Sequence, residues 1–78
     1  MILEIITPES KLFQGEVNSV KLPGTDGSFG VLNNHAPIIS TLAKGTIELV
    51  DSNNENINFD INGGVIEMQK NKIIVLAD

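Results

Sequence analysis

The sequence of 78 residues contains no cysteine, tryptophan, tyrosine or arginine, and it has a single histidine. Without cysteine the chain can form neither disulfides nor thiolate metal sites. One histidine also excludes zinc sites that need several of them. A chain of this length buries only about 60% of the surface that its unfolded form exposes. Because disulfides and these metal sites, which often stabilise small domains, are excluded, we expect good packing and contact with a partner to support the fold.

The net charge of −5 comes from ten acidic residues and five lysines. An acidic chain without arginine, tryptophan or tyrosine lacks the phosphate-pairing charge and most of the stacking surface of nucleic-acid binders, so nucleic acid is not a predicted partner. The same acidity disfavours direct binding to an anionic membrane. No stretch approaches the roughly 20 apolar residues of a membrane span. Residues 1–6 lack the features of a signal peptide, so secretion is not expected.

Turn residues recur about every eight to twelve positions, which is typical of a sandwich or barrel of short antiparallel strands. No repeat, low-complexity tract or linker divides the chain, so residues 1–78 are predicted to form one domain. The predicted strands comprise residues 2–6, 11–13, 16–22, 28–32, 45–50, 56–62, 65–69 and 72–77, and a tight hairpin turn at Lys70 and Asn71 is predicted to join the last two.

Two strands have informative patterns. Ile57, Phe59 and Ile61 alternate with polar residues, which predicts a half-buried strand. Residues 72–77 are apolar on both faces, which predicts a central strand covered on both sides.

Residues 37–42 allow two interpretations. Ile38, Ile39 and Leu42 have helical spacing, and Pro37 is acceptable at a helix start. The β-branched content and the short length favour a strand instead.

Catalysis by this chain would have to use His35. A Ser–His–Asp arrangement would combine it with Asp26 and with Ser28 or Ser40, but the sequence has no Gly-x-Ser-x-Gly elbow. A loop imidazole that hydrogen-bonds locally or fills an interface is the favoured interpretation.

Two loops superficially resemble ligand sites. Residues 24–30 contain glycines at three-residue intervals but match neither a dinucleotide fingerprint nor a P-loop, so a tight turn and a bulge are predicted. Residues 51–55 start like a calcium loop, but Asn56 occupies the position that requires glycine, so a hairpin tip is predicted. We predict no cofactor and no metal site.

Six segments resemble, in order, the epsilon subunit of F-type ATP synthases, and the resemblance extends over essentially the whole chain. They are FQGEV (13–17), PGTDGSFGVL (23–32), NHAP (34–37), KGTI (44–47), NGGVIEM (62–68) and VLAD (75–78). The resemblance implies a flattened antiparallel β-sandwich of about ten short strands. It also implies a non-catalytic subunit of the central stalk, which turns with the rotor and couples proton-driven rotation to ATP synthesis.

The family's partners are the gamma subunit on one side and the polar loops of the membrane-embedded c-ring on the other. The resemblance therefore implies a peripheral location on the cytoplasmic face of the bacterial inner membrane, with membrane association only through the complex. Residues that would face the c-ring are Asp26, Gly27, Ser28, Phe29 and Gly30. Residues that would meet gamma are Thr7, Pro8, His35, Ala36, Pro37, Ile38, Ile39, Thr41 and Leu42.

Two points qualify this transfer of residues. Family members often carry a carboxylate where Ser28 stands, so Asp26 is a possible substitute in attracting basic ring loops. Core packing is the alternative role for the apolar residues in the gamma set.

Family members usually continue into two C-terminal helices, which can inhibit ATP hydrolysis and in some bacteria bind ATP. Because this sequence ends at Asp78, where the sandwich would end, neither property is expected here; the native subunit is short or this is part of a longer one.

Two other functions remain as alternatives. A freestanding sandwich could bind a peptide or glycan, although only Phe13, Phe29 and Phe59 are available to line a groove. A small hydrolase would be centred on His35, with Asp26 assisting.

Overall fold

The computed structural model describes residues 1–78 as eight strands joined by turns. The strands are β1 (Ile2–Ile6), β2 (Lys11–Gly24), β3 (Gly27–Leu32), β4 (Ile38–Leu42), β5 (Gly45–Asp51), β6 (Asn56–Ile61), β7 (Gly64–Gln69) and β8 (Lys72–Ala77). The predicted all-β class is confirmed, and residues 37–42 adopt the favoured strand conformation in β4. The structure contains no helix that is long and apolar enough to cross a membrane.

The strand count is eight rather than about ten, mainly because β2 runs unbroken for 14 residues. The sequence predicted a break at Gly15, but this glycine pairs with Leu3 of β1 inside a continuous ladder. Paired backbone groups hold the chain extended there despite the weak strand propensity of glycine. The irregularity occurs instead on the partner strand, where the register shifts between Ile5 and Ile6.

The strands form two layers that share β2. The order β1-β8-β7-β4-β2-β5-β6 closes through an additional β1–β2 pairing, and β3 flanks β2. The first layer contains β1, β8, β7 and β4, whereas the second contains β3, the C-terminal half of β2, β5 and β6. All pairs are antiparallel except β1–β8, which is parallel and departs from the expected purely antiparallel sandwich.

The core lies between the layers and is entirely apolar, since no polar or charged residue is buried. It is built from the inward-facing residues of both layers: Met1, Leu3, Ile5, Val17, Val20, Leu22, Val31, Leu42, Ile47, Leu49, Ile61, Ile66, Met68, Ile73, Val75 and Ala77. The three phenylalanines pack partly buried against this cluster. Ile57, Phe59 and Ile61 all face it, which confirms the predicted alternation of β6.

Strand β8 is central, as predicted, but only one of its faces is covered. It lies between β1 and β7, and Ile73 and Val75 are fully buried on its inward side. On its outward side Ile74 is half-buried and Leu76 remains 51% exposed. The prediction of cover on both faces is therefore wrong for this chain alone, because no part of the chain lies over the outside of β8.

The turns gather at two opposite ends of the sandwich. At the first, which we call the Asp26 end, the β2–β3 turn meets the end of β4, where Thr25 N donates to Thr41 O at 3.2 Å. The Gly63 carbonyl accepts from Asp78 N at 3.0 Å at the same end. The β1–β2 turn, residues 7–10, also lies here because β1 and β8 run parallel.

The other end, which we call the His35 end, carries loop 33–37 and the turn that joins β7 to β8. Asn34 N donates to Asn71 Oδ1 at 2.8 Å, which ties these two segments together. Lys70 and Asn71 both have positive φ, of 52° and 60°, as expected for the predicted tight hairpin turn. Residues 51–55 form the predicted hairpin tip, with Asp51 Oδ1 accepting from Asn53 N at 2.8 Å.

Candidate partner-binding surface

The outward side of the first layer concentrates apolar side chains. Strand register aligns Ile6, Leu76 and Val65 across β1, β8 and β7 in one row, and Ile74 lies in the next row. Ile39 of β4 extends this second row beyond Glu67 and is 83% exposed. We call this surface the outer apolar face, and define it by Ile2, Ile6, Ile39, Val65, Ile74 and Leu76.

The outward side of the second layer is mostly polar by comparison. Lys21 and Glu48 approach each other there at 3.8 Å, and Thr46 donates to Asp60 Oδ1 at 2.8 Å. The one large apolar side chain exposed on this side is Leu32, at 66%. Contiguous apolar surface rimmed by polar residues marks interaction sites in proteins. The outer apolar face is therefore the side that a partner would cover.

Two acidic side chains, Glu4 and Glu67, lie among the residues of the outer apolar face, and only Glu4 is paired with a lysine. Glu4 of β1 is paired with Lys11 of β2 at 2.9 Å, and its side chain is only 15% exposed. The hydrogen bond from Lys11 lowers the pKa of Glu4 below its ordinary value against the opposing effect of desolvation, and the positive charges of Lys11 and Lys72 add to the lowering. The pair thus supplies the partly covered carboxylate with its counter-charge.

Replacing Lys11 with glutamine should lower the stability of the fold at neutral pH and leave it unchanged in acid. Because the folded-state pKa of Glu4 is lowered, the pair stabilises the fold above the unfolded pKa of about 4.3, and this contribution is lost as pH falls through the folded pKa. Urea unfolding at neutral and acidic pH measures the difference. Lys21→Gln is the control, since its pair is more than half exposed and should contribute little. A Lys11→Gln deficit that persists in acid would contradict the assignment.

The residues predicted to face the c-ring form one hairpin at the Asp26 end. Asp26, Gly27, Ser28 and Gly30 are exposed, as a contact surface requires. Phe29 is different, because it packs half-buried against the core, and a Cβ added at Gly24 would lie 2.8 Å from its ring. Phe29 therefore holds the hairpin in place and is not presented as a surface side chain.

The residues predicted to meet gamma are spread along the first layer instead of forming one cluster. Thr7 and Pro8 lie at the Asp26 end, Ile39 and Thr41 lie on the outward side of β4, and loop 35–37 is exposed at the His35 end. Ile38 is half-buried against the core.

For Leu42 the prediction of a surface role is wrong. Alternation along β4 places it on the inward side, and its side chain is buried in the core.

The structure does not assemble the catalytic arrangement considered for His35. Its Nδ1 lies 2.8 Å from the carbonyl oxygen of the neighbouring Ala36, so the imidazole is engaged locally. Asp26 lies at the opposite end of the sandwich, and the Ser40 hydroxyl donates to Thr41 O at 3.3 Å. The interpretation of His35 as a loop imidazole with a local hydrogen bond agrees with this geometry.

Sequence reasoning missed most of the outer apolar face. Ile2, Ile6, Val65, Ile74 and Leu76 were assigned only to strands, without a role in binding. A usable signal was present, since residues 72–77 are apolar on both faces. This pattern predicts cover over the outward side of β8, which residues 1–78 do not supply.

Comparison with known proteins agrees with this architecture. Residues 1–78 match the family described as ATP synthase, Delta/Epsilon chain, beta-sandwich domain. The ATP synthase epsilon chain of Campylobacter curvus is 45% identical over 76 residues, which are 97% of this chain and 59% of that protein. The epsilon chain of Chlorobium limicola is 41% identical over 76 residues, and the match covers 86% of its length. The chain thus spans about three fifths of the first relative and most of the second.

Solved structures with the same fold come from two mitochondrial ATP synthases. A chain of the Euglena gracilis OSCP/F1/c-ring structure superposes with a TM-score of 0.92 at 20% identity, over 99% of this chain and 49% of that one. A chain of the Tetrahymena thermophila central stalk/c-ring structure gives 0.79 at 17% identity, over 99% and 62% of the two chains. At these identities the likeness establishes the fold.

Proposed function

Since this chain belongs to the family of ATP synthase delta/epsilon β-sandwich domains, we propose that it is a non-catalytic central-stalk subunit, which turns with the rotor and couples proton-driven rotation to ATP synthesis. The observation that carries the proposal is the outer apolar face, which the chain leaves uncovered. The names of the relatives and the central stalk/c-ring assembly that contains one structural neighbour support it. In this proposal, residues 1–78 act as one unit with two contact regions.

The gamma subunit is the proposed occupant of the outer apolar face. Its three most exposed members, Ile39, Leu76 and Val65, are 83%, 51% and 43% exposed. Full burial of such a side chain contributes about 1.5–3 kcal/mol, so these three would dominate the contact. Thr7 and Pro8 at one end, and residues 35–37 at the other, would form the rim. A long, shallow contact of this kind resists slippage of a turning stalk.

The c-ring is the proposed partner of the Asp26 end. Asp26 and Ser28 are exposed on the β2–β3 hairpin. The hairpin lies beyond one end of the outer apolar face, so the c-ring and gamma would bind different parts of the chain. A carboxylate and a hydroxyl at an exposed turn are suited to polar, basic loops of a second protein. The hairpin is braced from behind by Phe29, so that force applied to the turn is transmitted to β2.

Changing Asp26 to lysine should reduce proton-coupled ATP synthesis without unfolding the chain. Reversing one exposed charge changes a rim contact by about 1 kcal/mol, which corresponds to roughly a fivefold weaker contact. ATP synthesis in energised vesicles that carry the variant complex measures the effect. Glu55→Lys, the same reversal at the exposed tip of the opposite end, is the matched control. Equal synthesis in both variants would count against the c-ring assignment.

Membrane association through the complex is also proposed, at the cytoplasmic face of the bacterial inner membrane. Co-purification of the tagged chain with a membrane-bound ATPase tests this directly. The alternative of a freestanding peptide- or glycan-binding module is not favoured, because all three phenylalanines pack against the core. A shallow cavity of about 340 Å³ on the second layer, between Leu32 and Val50, has no aromatic lining.

A further inference from the structure

Glu67 places a negative charge in the middle of the outer apolar face. It lies on β7, directly opposite Ile39 of β4 on one side and Ile74 of β8 on the other. Val65, two residues earlier on β7, points to the same side of the sheet. Members of the outer apolar face therefore border this carboxylate on three sides, and the Glu67 side chain is exposed to solvent.

No lysine of the chain pairs with Glu67. The chain contains three ion pairs, and on this side of the sheet Glu4 is joined to Lys11 at 2.9 Å, whereas Glu67 takes part in none. Lys72 is offset from Glu67 by one row, since it lies opposite Gln69, and its positive charge acts on Glu4. The two acidic residues of this surface thus differ, because only Glu4 has its counter-charge within the chain.

A partner that covers the outer apolar face must neutralise this charge. Taking an unpaired carboxylate out of water is strongly unfavourable, so a wholly apolar surface opposite Glu67 would bind poorly. A basic side chain placed there supplies the missing counter-charge. The long apolar stem of a lysine or arginine can also lie along Ile39 or Ile74 while its charged end reaches the carboxylate. The chemistry of the face therefore calls for a cation within an otherwise apolar contact.

From this arrangement, and resting on the proposed role of gamma as the occupant of the face, we propose that gamma places a lysine or arginine opposite Glu67. Apolar contacts alone allow a sheet face to slide over its partner, whereas an ion pair in the centre is satisfied in one position only. The flanking isoleucines exclude water from the pair and strengthen its attraction. Glu67 is then the residue that fixes the register of the chain on gamma.

The first test is calorimetric titration of purified gamma with a chain that carries Glu67→Gln, which removes the charge and keeps the size of the side chain. The affinity should fall by about 30-fold or more, because the covered cation of gamma loses its partner. Glu48→Gln is the matched control on the second layer and should bind gamma like the unmodified chain. Both glutamates are exposed, so thermal melts should show both variants folded.

Charge exchange then tests for the cation itself. Glu67→Lys should bind gamma more weakly than Glu67→Gln does, because like charges would now meet in the contact. Among gamma variants that each have one lysine or arginine changed to glutamate, one should restore the affinity of Glu67→Lys. If Glu67→Gln binds weakly but no gamma variant restores Glu67→Lys, neutral hydrogen-bond donors face Glu67 and the ion pair is overturned.

Failure of this proposal can be told apart from failure of the proposed function. If Glu67→Gln binds gamma as well as Glu48→Gln does, while Ile39→Asp does not bind, gamma covers the face without a cation opposite Glu67. That result would overturn the ion pair alone. If Ile39→Asp also binds gamma like the unmodified chain, gamma does not cover the face, and the ion pair and the proposed gamma contact are both overturned.

Discussion

Ile39→Asp is expected to abolish binding of the chain to gamma while leaving the chain folded. Ile39 is 83% exposed and lies outside the core, so its replacement removes no internal packing. Loss of strand propensity should lower stability by at most about 1 kcal/mol. At the interface, the variant loses the burial of the isoleucine side chain, which contributes about 1.5–3 kcal/mol. Binding would also have to desolvate the new carboxylate, which costs several kcal/mol more. The affinity should therefore fall by at least about 100-fold.

Leu32→Asp is the matched control for this result, since it makes the same change at the exposed apolar residue of the other layer. Calorimetric titration with purified gamma, combined with thermal melts of both variants, separates binding from folding. We expect Leu32→Asp to bind gamma like the unmodified chain. Equal losses of affinity in the two variants would show that gamma does not select the outer apolar face.

Gly64→Ala is expected to unfold the isolated chain or to lower its melting temperature severely. The added methyl group collides with the Leu76 carbonyl oxygen and approaches Ala77 Cα to 2.9 Å, and both are backbone atoms held in the β7–β8 ladder. The positive φ adds strain of about 1–3 kcal/mol. Together these effects should remove most of the free energy of unfolding, which is typically about 5–15 kcal/mol for a domain.

Gly27→Ala separates the two causes. Gly27 also has a positive φ, of 124°, but a Cβ there would meet no atom within 4 Å. This variant should lose only the strain of about 1–3 kcal/mol and remain folded. Circular dichroism melts of both variants measure the difference. If Gly64→Ala melted at the same temperature as Gly27→Ala, the β7–β8 ladder at Gly64 would be able to open and accept a side chain.

Much of the fold was predictable because local pattern and tertiary pairing agree. The alternation around Phe59 and the turn at Lys70 and Asn71 specify their strands locally, and both predictions are confirmed. The continuity of β2 through Gly15 and the parallel β1–β8 pair depend on contacts between distant segments. A short stretch of sequence contains no pattern that specifies such pairings, and this explains why they were not predicted.

The candidate surface was only partly predictable for a related reason. Ile39 and Leu42 look alike in sequence, but the register of β4 sends one outward and the other into the core. A single residue of register separates a surface side chain from a buried one. The contribution of Leu76 becomes visible only when β8 is placed between β1 and β7 with nothing over its outward side.

The central claim, a chain held between gamma and the c-ring, is tested most directly by site-specific photocrosslinking in the assembled complex. The sequence has no cysteine, so Ile39→Cys, Ser28→Cys and Asn58→Cys each offer one position for a photoreactive maleimide. The account predicts that the probe at residue 39 captures gamma, the probe at residue 28 captures the c subunit, and the probe at residue 58 captures neither. Capture of gamma from residue 58 with none from residue 39 would contradict it.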